Sequence, residues 1–243
     1  AALPGGMSRG SAYWEPMRIV AMRIDKSMQR HDYRTLLVSS AIPGEGKTTA
    51  SYQLALSFAR HGRRVLLVDC DLRNPSVQKL AGRPVQAGLT EYLAGAAKPG
   101  QIVTALGKDK PDVIFAGRHA GTQTELLGSE AFRALMNTMR ETYDFIVLDT
   151  PPCSLMTDAM EAGTAADCAL LVVRQDFSSR ASVVNSLAAL DEYGVPVLGY
   201  ALNACRRSGR SGYGYGYGYG YGYGYGYGYG YGYGERRGKN GAD

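Results

Sequence analysis

Ser39-Ser40-Ala41-Ile42-Pro43-Gly44-Glu45-Gly46-Lys47-Thr48-Thr49 stands between an apolar run, Thr35 to Ser40, and a stretch of helical character, Thr48 to His61. Its reading decides the fold. Gly44 and Gly46 allow backbone N–H groups to turn inward around phosphates, and the start of the following helix adds its dipole. Lys47 is placed to reach the β and γ phosphates and the Thr48 hydroxyl to meet Mg²⁺, while Pro43, Glu45 and Thr49 complete a phosphate-cradling loop. The first glycine of the common GxxxxGK[ST] pattern is Ala41 here, so the strand-then-helix context carries the assignment.

Outward from this loop, strand-length apolar runs recur at Val65 to Asp69, Asp112 to Phe115, Phe145 to Asp149, Ala169 to Val173 and Val197 to Leu202. None alternates, which is the pattern of strands buried on both faces of a parallel sheet. Helical stretches at Glu130 to Thr142, Asp158 to Ala166 and Arg180 to Tyr193 separate them. The expected class is α/β: a doubly wound, mostly parallel sheet of the P-loop NTPase type, with its ligand crevice at the carboxyl ends of the strands. A further amphipathic stretch, Glu15 to Arg30, precedes the first strand and is expected to cover a sheet edge or reach a neighbouring subunit.

Two acidic positions close later strands. Val65-Leu66-Leu67-Val68-Asp69-Cys70-Asp71-Leu72-Arg73 places Asp69 and Asp71 two residues apart, and Phe145-Ile146-Val147-Leu148-Asp149-Thr150-Pro151-Pro152 has the Walker B form. Such an aspartate can hold Mg²⁺ through water. Each alone is an ordinary turn former. Together, beside the phosphate loop, they predict a metal-nucleotide site.

The net charge of +5 is unevenly spread over the 243 residues. From Arg206 onward the balance is +4, and the preceding 205 residues carry +1, so the body has no charge signature for nucleic acid or a membrane surface. The longest apolar run, Cys168 to Val173, is six residues against the ~20 that span a bilayer. Four cysteines and three histidines lie far apart, so neither a zinc site nor a disulfide framework is predicted, and a reducing cytoplasm fits. Within residues 206–243 the stretch Gly212 to Gly234 is strict Gly-Tyr alternation, with Tyr213, Tyr215, Tyr217, Tyr219, Tyr221, Tyr223, Tyr225, Tyr227, Tyr229, Tyr231 and Tyr233 at successive odd positions. That composition cannot build a core, and a disordered C-terminal tail following a 1–205 domain is expected.

These motifs resemble the bacterial tyrosine kinases that accompany capsule and exopolysaccharide export. The resemblance rests on Pro43 to Thr49, on Asp69-Cys70-Asp71-Leu72-Arg73, on Asp149-Thr150-Pro151-Pro152, on Thr124-Glu125-Leu126-Leu127 ahead of a helix, and on the C-terminal tyrosine cluster. It implies that Lys47 and Thr48 bind ATP and Mg²⁺, that Asp71 ligates the metal with Asp149 supporting its shell, and that Asp69 deprotonates the attacking tyrosine. Asn203, ending the last strand, resembles an asparagine that contacts adenine in the wider superfamily; a plain turn asparagine is the other reading. The resemblance further implies autophosphorylation of the tail in trans, a ring-like homo-oligomer, and a membrane activator, a polysaccharide co-polymerase subunit, holding the kinase at the inner face of the membrane. In the family a Glu-x-x-Arg-x-x-Arg helix packs against the next subunit; here Glu15 and Arg18 match, Ala21 takes the second arginine's place and Arg23 follows. Residues 117–123 replace a stretch usually rich in proline and asparagine. Two alternatives stay open: a partition or division-site ATPase of the same fold, which would carry a lysine where this chain has Ile42, and a nucleotide-gated scaffold with an adhesive Gly-Tyr tail.

Overall fold

The computed structural model describes residues 14–118, 124–154 and 157–205, and the statements below concern these. The Gly-Tyr repeat with all its tyrosines, and residues 119–123 of the stretch before Thr124, lie outside them. In chain order the elements are α1 (Trp14–Arg30), β1 (Thr35–Ser40), α2 (Lys47–Arg60), β2 (Val65–Asp69), α3 (Val77–Ala81), α4 (Leu89–Leu93), α5 (Pro99–Ile102), β3 (Val103–Ala105) and β4 (Asp112–Ile114). A 3-10 turn, Thr124–Gly128, leads into α6 (Glu130–Thr142), followed by β5 (Phe145–Asp149), α7 (Asp158–Gly163), β6 (Cys168–Arg174), α8 (Arg180–Glu192) and β7 (Val197–Asn203). The strands form one sheet in the order β3-β4-β2-β5-β1-β6-β7. All neighbours are parallel except β3, which runs against β4.

Alternate residues of each strand face opposite sides, and both sides are covered. Leu36, Val38, Leu67 and Val147 meet Leu54 and Phe58 of α2 together with Ala21, Ile24 and Met28 of α1. Leu66, Val68, Ile146 and Leu148 meet Phe132, Leu135 and Met136 of α6 on the other face. Leu37, Ala169 and Leu171 pack with Met160 of α7 and Leu190 of α8. Double coverage explains why the strands read as continuous apolar runs.

Helix boundaries follow local chemistry. Ser129 caps α6 by accepting the Phe132 N–H, and Ser179 caps α8 by accepting the Ser182 N–H. Such caps are each worth about 1 kcal/mol. Helix α1 lies along α2 and the sheet, and Ala21 faces the chain's own core at 2% exposure.

Three expectations need correction. The sheet has seven strands rather than six, because β3 is three residues long and leaves no periodic signal. Between β2 and β4 stand α3, α4 and α5, each of five residues or fewer, too short for helical periodicity to register. Strand β7 is not buried on both faces: it is a sheet edge, and Tyr200 and Leu202 are 56% and 59% exposed. An apolar run reads alike whether or not a helix covers it.

Candidate active site

Strand β1 ends at Ser40 in the middle of the sheet, and the chain turns through residues 41–46 into α2. Ala41 is fully buried and is absent from the positive-φ residues, so this position does not require glycine. Gly44 and Gly46 do, with φ of +87° and +90°, in the left-handed region that L side chains rarely adopt. Gly46 is the N-cap of α2, and no side chain caps the helix. The first N–H groups of α2 are therefore left for an anion.

Neighbouring strands deliver the charges. In the sheet register Asp149 stands beside Asp69 of β2 on one side and Val38 of β1 on the other. Lys47 Nζ lies 2.8 Å from Asp71 Oδ2 and 3.5 Å from Thr48 Oγ1. Burial alone would lower the Lys47 pKa, but the charges of Asp149 and Asp71 outweigh it and hold the ammonium form above its usual range. Burial pushes the Asp149 carboxyl up to about 6, against the opposing pull of Lys47 and of the Thr48 and Ser51 hydroxyls. Asp149 Oδ1 accepts from Ser51 Oγ at 2.9 Å, while its buried Oδ2 has no hydrogen bond among the described residues.

Asp69 is fully buried, and its carboxyl accepts the N–H groups of Asp71 and Val77 at 3.3 and 3.2 Å. Burial, then the neighbouring Asp149 charge, raises its pKa well above the carboxylate range. Asp71 is also buried, and it accepts the Asn74 N–H. The loop carrying Asp71 is tied down by Arg73, whose Nε and Nη2 grip Asp158 of α7 at 2.7 and 3.1 Å.

The site thus gathers Lys47, Thr48, Asp69, Asp71 and Asp149 at the carboxyl ends of β1, β2 and β5. It does not gather Glu15, Arg18 and Arg23, which belong to α1. Glu15 and Arg18 pair with each other at 2.5 Å. Asn203 is turned onto the phosphate loop: its Nδ2 donates to Glu45 O at 2.8 Å and its Oδ1 accepts the Ala204 N–H. Sequence reasoning missed Ser51, Asp158, Arg174 and Ser178. Ser51 had a usable signal, since it sits one turn beyond Lys47 on the same helix face; the others are brought in only by the tertiary fold.

The donor set suits Mg²⁺. Thr48, Asp71 and Asp149 offer hard oxygens, and the unbonded Asp149 Oδ2 is a buried acceptor lacking a partner among the described residues. Among the described residues no three His, Cys, Asp or Glu side chains converge as a metal cage.

The AAA domain family model matches residues 34–192. Tyrosine-protein kinase YwqD of Bacillus subtilis is 32% identical over 211 residues, covering 80% of this chain and 89% of that protein. The chain belongs to the bacterial tyrosine-protein kinases. Tyrosine-protein kinase Etk of Escherichia coli is likewise 32% identical, over 82% of the chain, although the alignment spans only 27% of Etk. The solved kinase domain of Etk superposes with a TM-score of 0.77 over 84% of this kinase and 80% of that domain. A septum site-determining protein MinD from Pyrococcus horikoshii, complexed with Mg-ADP, shares the fold at 27% identity with a TM-score of 0.62, over 73% of this kinase and 72% of that chain.

Proposed function

We propose that this kinase uses ATP with Mg²⁺ to phosphorylate its own C-terminal tyrosines, Tyr213 to Tyr233, in trans, and thereby regulates exopolysaccharide or capsule synthesis and export. The observation that carries the reading is Lys47, charged and half-sequestered between Asp71 and Asp149 at the uncapped start of α2. The loop from Pro43 to Thr49 binds the triphosphate, and Lys47 neutralises charge on the β and γ phosphates. Thr48, Asp71 and Asp149 hold the metal, which when bound screens the phosphate oxygens. In the transfer step the tyrosine oxygen bonds to the γ phosphorus as the bond to the β-phosphate oxygen breaks. ADP leaves with that electron pair, and the phenolic proton passes to Asp69, whose raised pKa suits a base.

Transfer of radiolabelled γ-phosphate should label the full chain and fail to label a chain ending at Arg206, while the truncated form still phosphorylates added tails. Asp69→Asn should reduce transfer far more than nucleotide binding. Equal labelling of the two chains would place the acceptor tyrosines elsewhere and support neither the tail reading nor the trans reaction.

For assembly, we infer a ring-like homo-oligomer in which Glu15, Arg18 and Arg23 meet a neighbour. Ile19 and Met22, 40% and 57% exposed, share the outer surface of α1 with them. Reversing the three charges should convert the oligomer to monomer in light scattering, since losing one partner of a buried interfacial charge pair costs about 2–5 kcal/mol. An unchanged mass would leave α1 as a cover for its own sheet. Among the described residues no helix is long and apolar enough to cross a membrane. We further infer membrane attachment at the cytoplasmic face through a partner, a polysaccharide co-polymerase subunit that activates the kinase.

A further inference from the structure

The outer surface of the phosphate loop is held by side chains from two distant strand ends. Asn203, at the end of β7, donates from Nδ2 to Glu45 O at 2.8 Å. Arg174, at the end of β6, donates from Nη1 to Gly44 O at 3.2 Å, and its guanidinium lies 4.7 Å from the Phe177 ring. The Glu45 side chain is fully buried although it belongs to a loop that must receive an anion. Its Oε2 accepts the Ile42 N–H at 2.7 Å, and its Oε1 accepts the Ser178 hydroxyl and the Arg174 N–H. The two strand ends are joined in turn, since the Gln175 N–H donates to Asn203 O at 3.0 Å.

A peptide group is a dipole, so fixing its carbonyl on one side fixes the direction of its N–H on the other. With the carbonyls of Gly44 and Glu45 engaged outward, the N–H groups that follow each of them point to the inner side, where phosphate oxygens bind. The carboxylate of Glu45 is meanwhile turned away from the triphosphate and satisfied by donors. Gly46 completes the fit: a Cβ there would stand 2.4 Å from Asn203 Nδ2.

We propose that Asn203, Arg174 and the Glu45–Ser178 pair form an outer brace that presets the phosphate loop, and that Asn203 serves phosphate binding rather than recognition of the base. They are positioning residues, acting through the loop. The inference rests on the reading that this loop binds the nucleotide's phosphates.

Inorganic tripolyphosphate, which has no base, separates the roles. Its affinity, with that of ATP and of GTP, is measured by calorimetry in the presence of Mg²⁺ for the full chain and for Asn203→Ala and Asn203→Asp. Asn203 is exposed at an edge, so the midpoint of thermal unfolding without ligand should stay within about 2 °C. A brace predicts that both variants lose about five- to tenfold in affinity for tripolyphosphate and ATP alike, with the ATP-to-GTP ratio unchanged. Ser178→Ala should show the same parallel loss, and Ser178→Thr, which keeps the hydroxyl, should restore it. Tripolyphosphate binding that stays at wild-type strength while ATP weakens would overturn the brace and make Asn203 a base contact. Wild-type protein that binds neither ligand would overturn the phosphate-loop reading itself, and the brace with it.

Discussion

Lys47→Met is expected to lower phosphoryl transfer by at least 10²–10³-fold, the scale seen when one preorganised charge or donor is removed from a developing anion. The loss should fall on turnover more than on folding, because α2 and β1 are built from residues that do not involve this side chain. A stability effect follows as well. Asp149 would lose the cation that opposes its burial, so its carboxyl pKa would rise further in the folded state. A raised carboxyl pKa removes stability as pH rises through it. The variant should therefore fall behind wild type above neutrality and approach it near pH 5. Radiolabel transfer and thermal unfolding across pH 5–8 check both parts; a variant that transfers at more than a tenth of the wild-type rate would remove Lys47 from the mechanism.

Asp149→Asn is expected to pull stability and ligand response in opposite directions. The Asp149 carboxyl titrates at about 6 in the fold against an ordinary value near 4. Between those values the folded chain keeps a proton that the unfolded chain has released, so stability declines with rising pH across the window, and the whole penalty stands above it. Without nucleotide, Asp149→Asn should thus melt several degrees higher than wild type at pH 7.5, with the difference vanishing below pH 4. With ATP and Mg²⁺ the order should reverse, because an amide replaces a metal-supporting carboxylate. A ligand-free variant that melts below wild type at pH 7.5 would show that the buried charge is fully compensated by Lys47 and Ser51.

The parts of this site that were legible in the sequence are those whose chemistry is local. Lys47 and Thr48 follow two glycines in a turn, and Asp69 and Asp149 end apolar runs, so a strand end with a carboxylate could be read from five residues. What the sequence could not show is which distant groups lean on them. Asn203 and Glu45 are 158 positions apart and meet only because β7 follows β6 in the sheet. The Arg73–Asp158 clasp spans 85 positions and forms because β2, which Arg73 follows, lies beside β5, which leads to α7. Strand β7 was misread as buried because the coverage of a sheet face is decided by helices elsewhere in the chain. Ala21 shows the reverse case: a departure from the family's charged motif becomes intelligible once the residue is seen against its own core.

Asp69 and Asp149 are held at one level of the sheet by hydrogen-bonded neighbours, so strand pitch, about 4.8 Å, acts as a ruler between the two acids. Loops cannot reset it. Insertions between α3 and β4 would leave the spacing untouched, whereas a one-residue slip of β2 against β5 would turn Asp69 to the opposite face and dismantle the site at a stroke. The stretch that forbids drift therefore outlasts the strand: it runs on through Asp71 and Arg73 to Val77, whose N–H meets Asp69, and tolerance begins only beyond α3.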